Sequence, residues 1–89
     1  MNIQYQAIET NFSQLMMDLE QCFSPSEIYE VVDFIENNEF GLALNTVIDI
    51  IVEENKFINN DVLKLITGLS DAMELDSEII ISKLSVHIR

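Results

Sequence analysis

Carboxylates are the side chains of this sequence that could do the most chemistry. The 89 residues include 16 Asp and Glu but only 4 Lys and Arg, which gives a net charge of −12. Residues 1–55 hold eleven of the acids and no base, so they carry −11, whereas residues 56–89 carry −1. A surface so rich in negative charge attracts basic partners. It repels nucleic acid and anionic membranes, because phosphate binding needs cationic side chains.

The sequence lacks the side chains that enzyme chemistry would need. Its single His, His87, is two residues from the last one and is expected to be a frayed, solvent-facing imidazole. Its single Cys, Cys22, has no His nearby and falls on an apolar stripe. This placement predicts a buried structural thiol in a protein of the reducing cytosol. No Ser occupies a nucleophile elbow, and no Gly-rich loop could cradle a phosphate. We therefore predict that the chain is not an enzyme.

Carboxylates also bind metal ions, but their spacing here does not match known metal sites. There is no Glu-x-x-His pair for a di-iron bundle and no Gly-centred calcium loop. Asp71, Glu74, Asp76 and Glu78 lie close together in the sequence. They could form a weak cation site, but a solvated cap that interacts with a helix dipole is the favoured interpretation. Neither a metal nor an organic cofactor is predicted.

The elements that carry these side chains are predicted to be α-helices. The chain has 48% hydrophobic residues but only 2 Gly and 1 Pro, which favours long helices over a turn-rich β fold. No apolar run reaches the roughly 20 residues that cross a bilayer, and the first residues do not form a secretory signal. We expect a single all-α domain over residues 1–89, a small bundle of four or five helices that is monomeric when free.

Apolar periodicity places the first and third helices. The first is expected from about Ile3 to about Cys22. Its apolar stripe consists of Tyr5, Ile8, Phe12, Leu15, Met16, Leu19 and Cys22. The third is expected from about Glu39 to about Asn55. Its apolar residues cover so wide an arc that it should lie at the centre of the bundle.

The second half of the chain is less regular. Residues 56–58 form a linker whose apolar residues, Phe57 and Ile58, should be buried. A fourth helix is expected after a cap at residues 59–61. The segment from Asp76 to Arg89 fits a helix and, almost as well, an alternating strand. A helix is favoured because no other segment offers a partner strand.

The second helix carries the acidic face of greatest interest. Its start is a capping box, Ser24-Pro25-Ser26-Glu27, and it should run to about Asn37. At 100° per residue, its apolar face holds Val31, Ile35, Ile28 and Val32. The opposite half holds Glu27, Glu30, Asp33 and Glu36, and Tyr29 and Phe34 are predicted to project into this half. The face could dock a basic partner or be an ordinary solvated surface, although ordinary faces mix charges of both signs.

The segment 33–49, Asp-Phe-Ile-Glu-Asn-Asn-Glu-Phe-Gly-Leu-Ala-Leu-Asn-Thr-Val-Ile-Asp, resembles part of the small immunity proteins of the MafI and contact-dependent growth inhibition (CdiI) type. In those bacterial proteins a helix ends in a Gly/Asn-Glu-aromatic-Gly-x-Ala-Leu connection that leads into an apolar helix with acidic residues. The matching residues are Glu39, Phe40, Gly41, Ala43 and Leu44, and Asn38 stands where Gly is commoner. The resemblance implies a small helical protein that neutralises a toxin domain, in many cases a ribonuclease. It implies no particular contact residues, because those vary between cognate pairs.

These observations predict an immunity protein that binds a basic toxin domain, expected to be a nuclease, and occludes its cleft. The first predicted contacts are on the second helix: Glu27, Tyr29, Glu30, Asp33, Phe34 and Glu36. A second ring of predicted contacts comprises Asp18, Glu20, Glu39, Asp49 and Glu53. The alternative is an acidic intracellular adaptor or regulatory subunit, which would self-associate or expose a large apolar patch.

Overall fold

Five α-helices and one short 3-10 helix form the part of the chain that the computed structural model describes, the backbone of residues 3–89 and the side chains of residues 6–89. The helices are α1 (Ile3–Leu19), α2 (Pro25–Glu36), α3 (Phe40–Glu53), α4 (Asn60–Ala72) and α5 (Ser77–Leu84), and the 3-10 helix is Ser85–His87. The predicted all-α bundle is therefore confirmed. The Cα radius of gyration is 12.0 Å, close to the roughly 12 Å of a compact domain of this length.

Side-chain caps begin three of the helices, as their sequences predict. At α2 the Ser24 backbone N–H donates to Glu27 Oε1 at 2.8 Å, and the Glu27 N–H donates back to Ser24 Oγ at 3.2 Å. Asn59 Oδ1 accepts from the Val62 N–H at 2.9 Å before α4. Asp76 accepts from two N–H groups at the start of α5. Each cap satisfies backbone donors that the first helical turn leaves without partners.

Left-handed residues end three of the helices. Asn38 follows α2 with φ of 59°, Asn55 follows α3 with φ of 50°, and Glu74 follows α4 with φ of 59°. The two Asn are the residue type that tolerates this conformation best after Gly. α1 ends earlier than predicted, at Leu19 rather than near Cys22, because the chain turns there and the Cys22 N–H donates to the Leu19 carbonyl, three residues back, at 3.0 Å.

α3 lies at the centre of the bundle, as its wide apolar arc predicts. It packs against α2, α4 and α5. Its buried residues are Ala43, Leu44, Val47, Ile48, Ile50 and Ile51. Val52, at the edge of the predicted arc, is 41% exposed. A helix contacted on three sides buries most of its apolar area, which is the main favourable contribution to the stability of a domain this small.

The other helices are arranged in two main pairs. α1 packs chiefly on α4, α2 packs chiefly on α3, and α1 contacts α2 less extensively. The described part of the predicted α1 stripe is buried at Ile8, Phe12, Leu15, Met16 and Leu19. Cys22 is only half-buried, and the side chain of Tyr5 lies outside the described residues. Phe12 reaches across to Phe40 at the start of α3, where the ring centroids are 5.7 Å apart.

The C-terminal segment combines both of its predicted alternatives. The helix ends at Leu84, and Ile88 is extended and forms an isolated parallel bridge with Ile58. The Ile58 N–H donates to the His87 carbonyl, and the Arg89 N–H donates to the Ile58 carbonyl, each at 2.8 Å. The prediction of a helix as far as Arg89 is wrong beyond Leu84. The assumption behind it, that no other segment could pair with this one, overlooked the linker between α3 and α4.

The same bridge buries His87, which we predicted to be frayed and exposed to solvent. His87 is only 5% exposed, and its Nδ1 lies 2.9 Å from the Lys56 carbonyl oxygen. Because a carbonyl only accepts, Nδ1 carries the proton in this hydrogen bond. Ile58 is buried as predicted, but Phe57 is 37% exposed. Its ring instead lies against His87 and Arg89, with the guanidinium carbon 3.9 Å from the ring centroid.

Candidate functional site

A cleft with carboxylates on both walls separates α2 from α3. It has a volume of about 290 Å³, and its lining residues are Glu27, Glu30, Thr46, Asp49, Ile50, Glu53 and Glu54. Five of the seven are acids, and none is basic. We refer to this feature as the acidic cleft. It brings together residues from the first predicted contacts, Glu27 and Glu30, and residues from the second predicted ring, Asp49 and Glu53.

Helical spacing and a shared core place the two acidic walls opposite each other. Glu27 and Glu30 are three residues apart on α2, and Asp49 and Glu53 are four residues apart on α3, so each pair lies on one helical face. Val31, fully buried, packs α2 onto the bundle behind the cleft. Thr46 Oγ1 donates to the Leu42 carbonyl at 2.7 Å, so this hydroxyl is already engaged within α3.

Glu27 differs from the other acids of the cleft because its carboxylate is already paired within the chain. It accepts the Ser24 backbone N–H and lies 3.0 Å from Lys56 Nζ. The Ser24 N–H and the Lys56 ammonium together hold the pKa of Glu27 below its ordinary value. Its use as a partner contact stays a prediction, but its structural role is to cap α2 and to tie the linker to that helix.

Four of the eleven predicted contact residues meet in the acidic cleft: Glu27, Glu30, Asp49 and Glu53. Others are dispersed: Asp33 and Glu36 are exposed elsewhere on α2, Glu39 precedes α3, and Asp18 lies beside Cys22 and Phe57. Glu54, just after α3, completes the cleft and is absent from the prediction. The sequence does indicate that Glu54 could belong to the cleft. It is four residues after Ile50, so both residues fall on the same helical stripe as Thr46 and Asp49.

The two aromatic residues of α2 do not share one environment. Tyr29 is 72% exposed, as predicted. Phe34 is half-buried and packs against the core, so the prediction that it projects into the acidic half is wrong. At about 100° per residue, Tyr29 lies about 160° from the buried Val31, whereas Phe34 lies only about 60° from it. A side chain that close to the core direction is partly covered by the core.

A second concave surface lies on the opposite flank of α2. It has a volume of about 460 Å³, and its lining residues are Glu20, Phe23, Pro25, Ile28, Tyr29 and Val32. We refer to this feature as the apolar groove. Phe23 is 5% exposed, while Ile28 and Val32 are half-buried. Glu20, a predicted contact residue, therefore borders an apolar surface rather than the acidic cleft.

The remaining candidate groups do not assemble into a reactive site in the part of the chain with described side chains. Burial raises the pKa of the Cys22 thiol, which makes it a poorer nucleophile near neutral pH. No group of three or more His, Cys, Asp or Glu is arranged to hold a metal ion among these residues. Two of the acids considered for a cation site have local partners, since Asp76 caps α5 and Asp71 accepts from the Ser77 hydroxyl. None of the described helices combines the length and the apolar character needed to cross a membrane.

Comparison of the chain with protein-family models, with curated proteins and with solved structures gave no match.

Proposed function

We propose that this chain is a cytosolic bacterial immunity protein that binds a basic toxin domain, a nuclease in the simplest case, and blocks its active-site cleft. The observation that carries the proposal is the acidic cleft, which five carboxylates line and in which Glu27 is the one that pairs with a described base, Lys56. Ordinary solvated faces mix both signs of charge. The resemblance of residues 33–49 to immunity proteins points in the same direction.

The proposed mechanism is occlusion without chemistry. A nuclease holds the phosphates of its substrate with Lys, Arg or His side chains, and a carboxylate can take the place of a phosphate oxygen opposite such groups. Glu30, Asp49, Glu53 and Glu54 are exposed in the free protein, so water solvates their charges until a partner arrives. Binding would exchange that water for cationic side chains.

The magnitude of these interactions limits what the cleft alone can do. An exposed ion pair contributes about 0.2–1 kcal/mol, so four such pairs give at most about 4 kcal/mol. That free energy corresponds to a Kd of about 1 mM, whereas a nanomolar complex needs about 12 kcal/mol. The cleft would therefore act mainly on the association rate and on orientation. Buried contacts elsewhere on the interface must supply the rest.

One observation favours the alternative of an adaptor or regulatory subunit. Leu75 before α5, Ile79 within it and Val86 after it are 40%, 55% and 76% exposed. Exposed apolar side chains in one segment are typical of a surface that a larger assembly covers. Analytical ultracentrifugation separates the two functions, because an adaptor of this type should self-associate through α5 when it is isolated. A stable monomer would count against the adaptor.

The direct test is to ask whether the chain neutralises the toxic domain encoded beside its gene. Co-expression should restore growth, and the two proteins should purify together. Rescue without a complex, or neither result, would overturn the proposal.

A paired charge experiment then tests the acidic cleft itself. Glu30→Gln with Asp49→Asn should lower affinity for the toxin domain about tenfold, or about 1.4 kcal/mol, mainly through slower association. Glu9→Gln with Glu74→Gln changes the net charge equally but outside the cleft, so it should have a much smaller effect. The difference between the two double variants should shrink at high salt. Equal losses would mean that only net charge matters.

A further inference from the structure

The apolar groove is open because of how the helices pair. α1 packs chiefly on α4 and α2 chiefly on α3, so the junction between α1 and α2 is packed less extensively than either of these pairs. The turn that connects the two helices brings Phe23 beneath this junction, where it is buried. Ile28 and Val32 form one wall and are only half covered by their own chain.

The rim of the groove differs in character from its floor. Tyr29 stands at the rim with 72% of its side chain exposed, and Glu20 is exposed on the α1 side. None of the described residues that line the groove is basic. Lys56, whose Nζ lies 5.9 Å from the centroid of the Phe23 ring, is already paired with Glu27. An apolar floor with the carboxylate of Glu20 at its edge is complementary to an apolar side chain that has a positive charge beside it.

We propose that the apolar groove binds an aromatic or branched aliphatic anchor in a basic segment of the partner protein. The anchor packs on Phe23, Ile28 and Val32, Tyr29 covers it from the rim, and an adjacent Lys or Arg pairs with Glu20. The inference rests on the proposed function in one respect, the basic character of the partner. It deepens that function by naming the buried contact that ion pairs in the acidic cleft cannot replace.

The first test uses a probe that does not require the toxin. A short capped peptide with phenylalanine and leucine between two lysines is titrated into the labelled full chain and followed by NMR. A matched peptide with glutamates in place of the lysines is the control. The lysine peptide should shift the amide signals of Phe23, Ile28, Tyr29 and Val32, and the glutamate peptide should not. Equal shifts from both peptides would overturn the basic character of the occupant.

Variants locate the binding site. Tyr29→Ala and Glu20→Lys change exposed side chains, and each should weaken lysine-peptide binding about tenfold. Met17→Ala and Glu9→Lys are the matched controls on exposed positions of α1, and each should bind as the unaltered chain does. Circular dichroism should show that all four variants keep the helical fold. Unchanged binding by Tyr29→Ala would overturn the inference.

The pattern of shifts distinguishes failure of this inference from failure of the proposed function. Shifts confined to Thr46 and Ile50 would place the basic peptide in the acidic cleft alone, which overturns the groove inference and leaves the proposed function intact. If the peptide binds in the groove but the chain does not neutralise the toxin, the proposed function is overturned and the groove inference is left intact. With the toxin domain itself, full affinity of Tyr29→Ala would overturn the inference for that partner.

Discussion

Replacing Glu30 by Gln should make the protein more stable and its complex with a basic partner weaker. The substitution removes one charge but keeps the size and nearly the same helix propensity. Glu27 and Asp33 stand three positions away on the same helix, and Asp49 and Glu53 line the facing wall of the acidic cleft. Such an opposition between stability and function is expected where a binding site concentrates like charges.

The expected gain in stability follows from these neighbours. Like charges three or four positions apart on a helix destabilise it by about 0.2–0.5 kcal/mol. Asp33 contributes its full repulsion with Glu30, whereas the repulsion from Glu27 is offset by the ion pair that Glu27 forms with Lys56. The exposed carboxylates of α3 add repulsion of similar size across the cleft. We therefore expect Glu30→Gln to raise the free energy of unfolding by about 0.5–1 kcal/mol, which raises Tm by about 2–8 °C in a domain of this size.

Thermal unfolding at two salt concentrations tests the reasoning. The gain should be present at about 0.01 M salt, where the Debye length is about 30 Å, and should largely vanish at about 1 M, where it is about 3 Å. Glu9→Gln is the matched control, because no acid lies three or four positions from Glu9. A lower Tm of Glu30→Gln at low salt, or an equal rise in Tm of Glu9→Gln, would refute the expected repulsion around Glu30.

Two further predictions concern the elements that hold the cleft in place. Because the folded state lowers the pKa of Glu27, the stabilisation it provides is complete above its ordinary pKa of 4.5 and is lost as the pH falls through the lower folded value. The difference in Tm between the unaltered chain and Glu27→Gln should therefore be larger near pH 7 than near pH 3, and a constant difference would contradict the lowering of the Glu27 pKa by the Ser24 N–H and Lys56. Phe12→Ala removes a fully buried ring that stacks on Phe40 and should cost about 3–5 kcal/mol in urea unfolding. A cost below about 1 kcal/mol would contradict this packing, and Phe12→Leu should fall in between.

The helix starts could be predicted because their causes are local. A capping side chain reaches only to the second or third residue that follows it, so Ser24, Asn59 and Asp76 carry their own signal in the sequence. The same holds for the turn at Asn38, where the residue type determines which backbone conformations are tolerated. Apolar periodicity likewise identifies the central helix from its own residues.

The C-terminal bridge could not be predicted, because its causes are tertiary. Ile58 and Ile88 are thirty residues apart, and only the packing of α4 and α5 brings them together. Once they pair, the burial of His87 and its hydrogen bond to Lys56 follow from the path of the chain. No property of residues 85–89 alone distinguishes this arrangement from a frayed helix end.

The candidate site lies between these two cases. The sequence shows that α2 is acidic, but which acids line the cleft depends on which flank of α2 meets α3. That relation places Glu30 opposite Asp49, adds Glu54, and leaves Asp33 and Glu36 outside. A helical wheel alone gives the angles between side chains, but it does not show which neighbouring helix covers each one.

The position of α2 explains how a small, strongly acidic chain could combine two kinds of contact. The helix is fixed by its capping box and by the buried Val31, and it exposes a charged surface on one flank and an apolar surface on the other. Exposed charges act over a Debye length and set the rate of encounter, whereas a buried apolar anchor sets the lifetime of the complex. If both surfaces meet one partner, substitutions in the acidic cleft should change the association rate and its salt dependence. Substitutions in the apolar groove should instead change the dissociation rate, so kinetics can separate two surfaces that lie on opposite flanks of one helix.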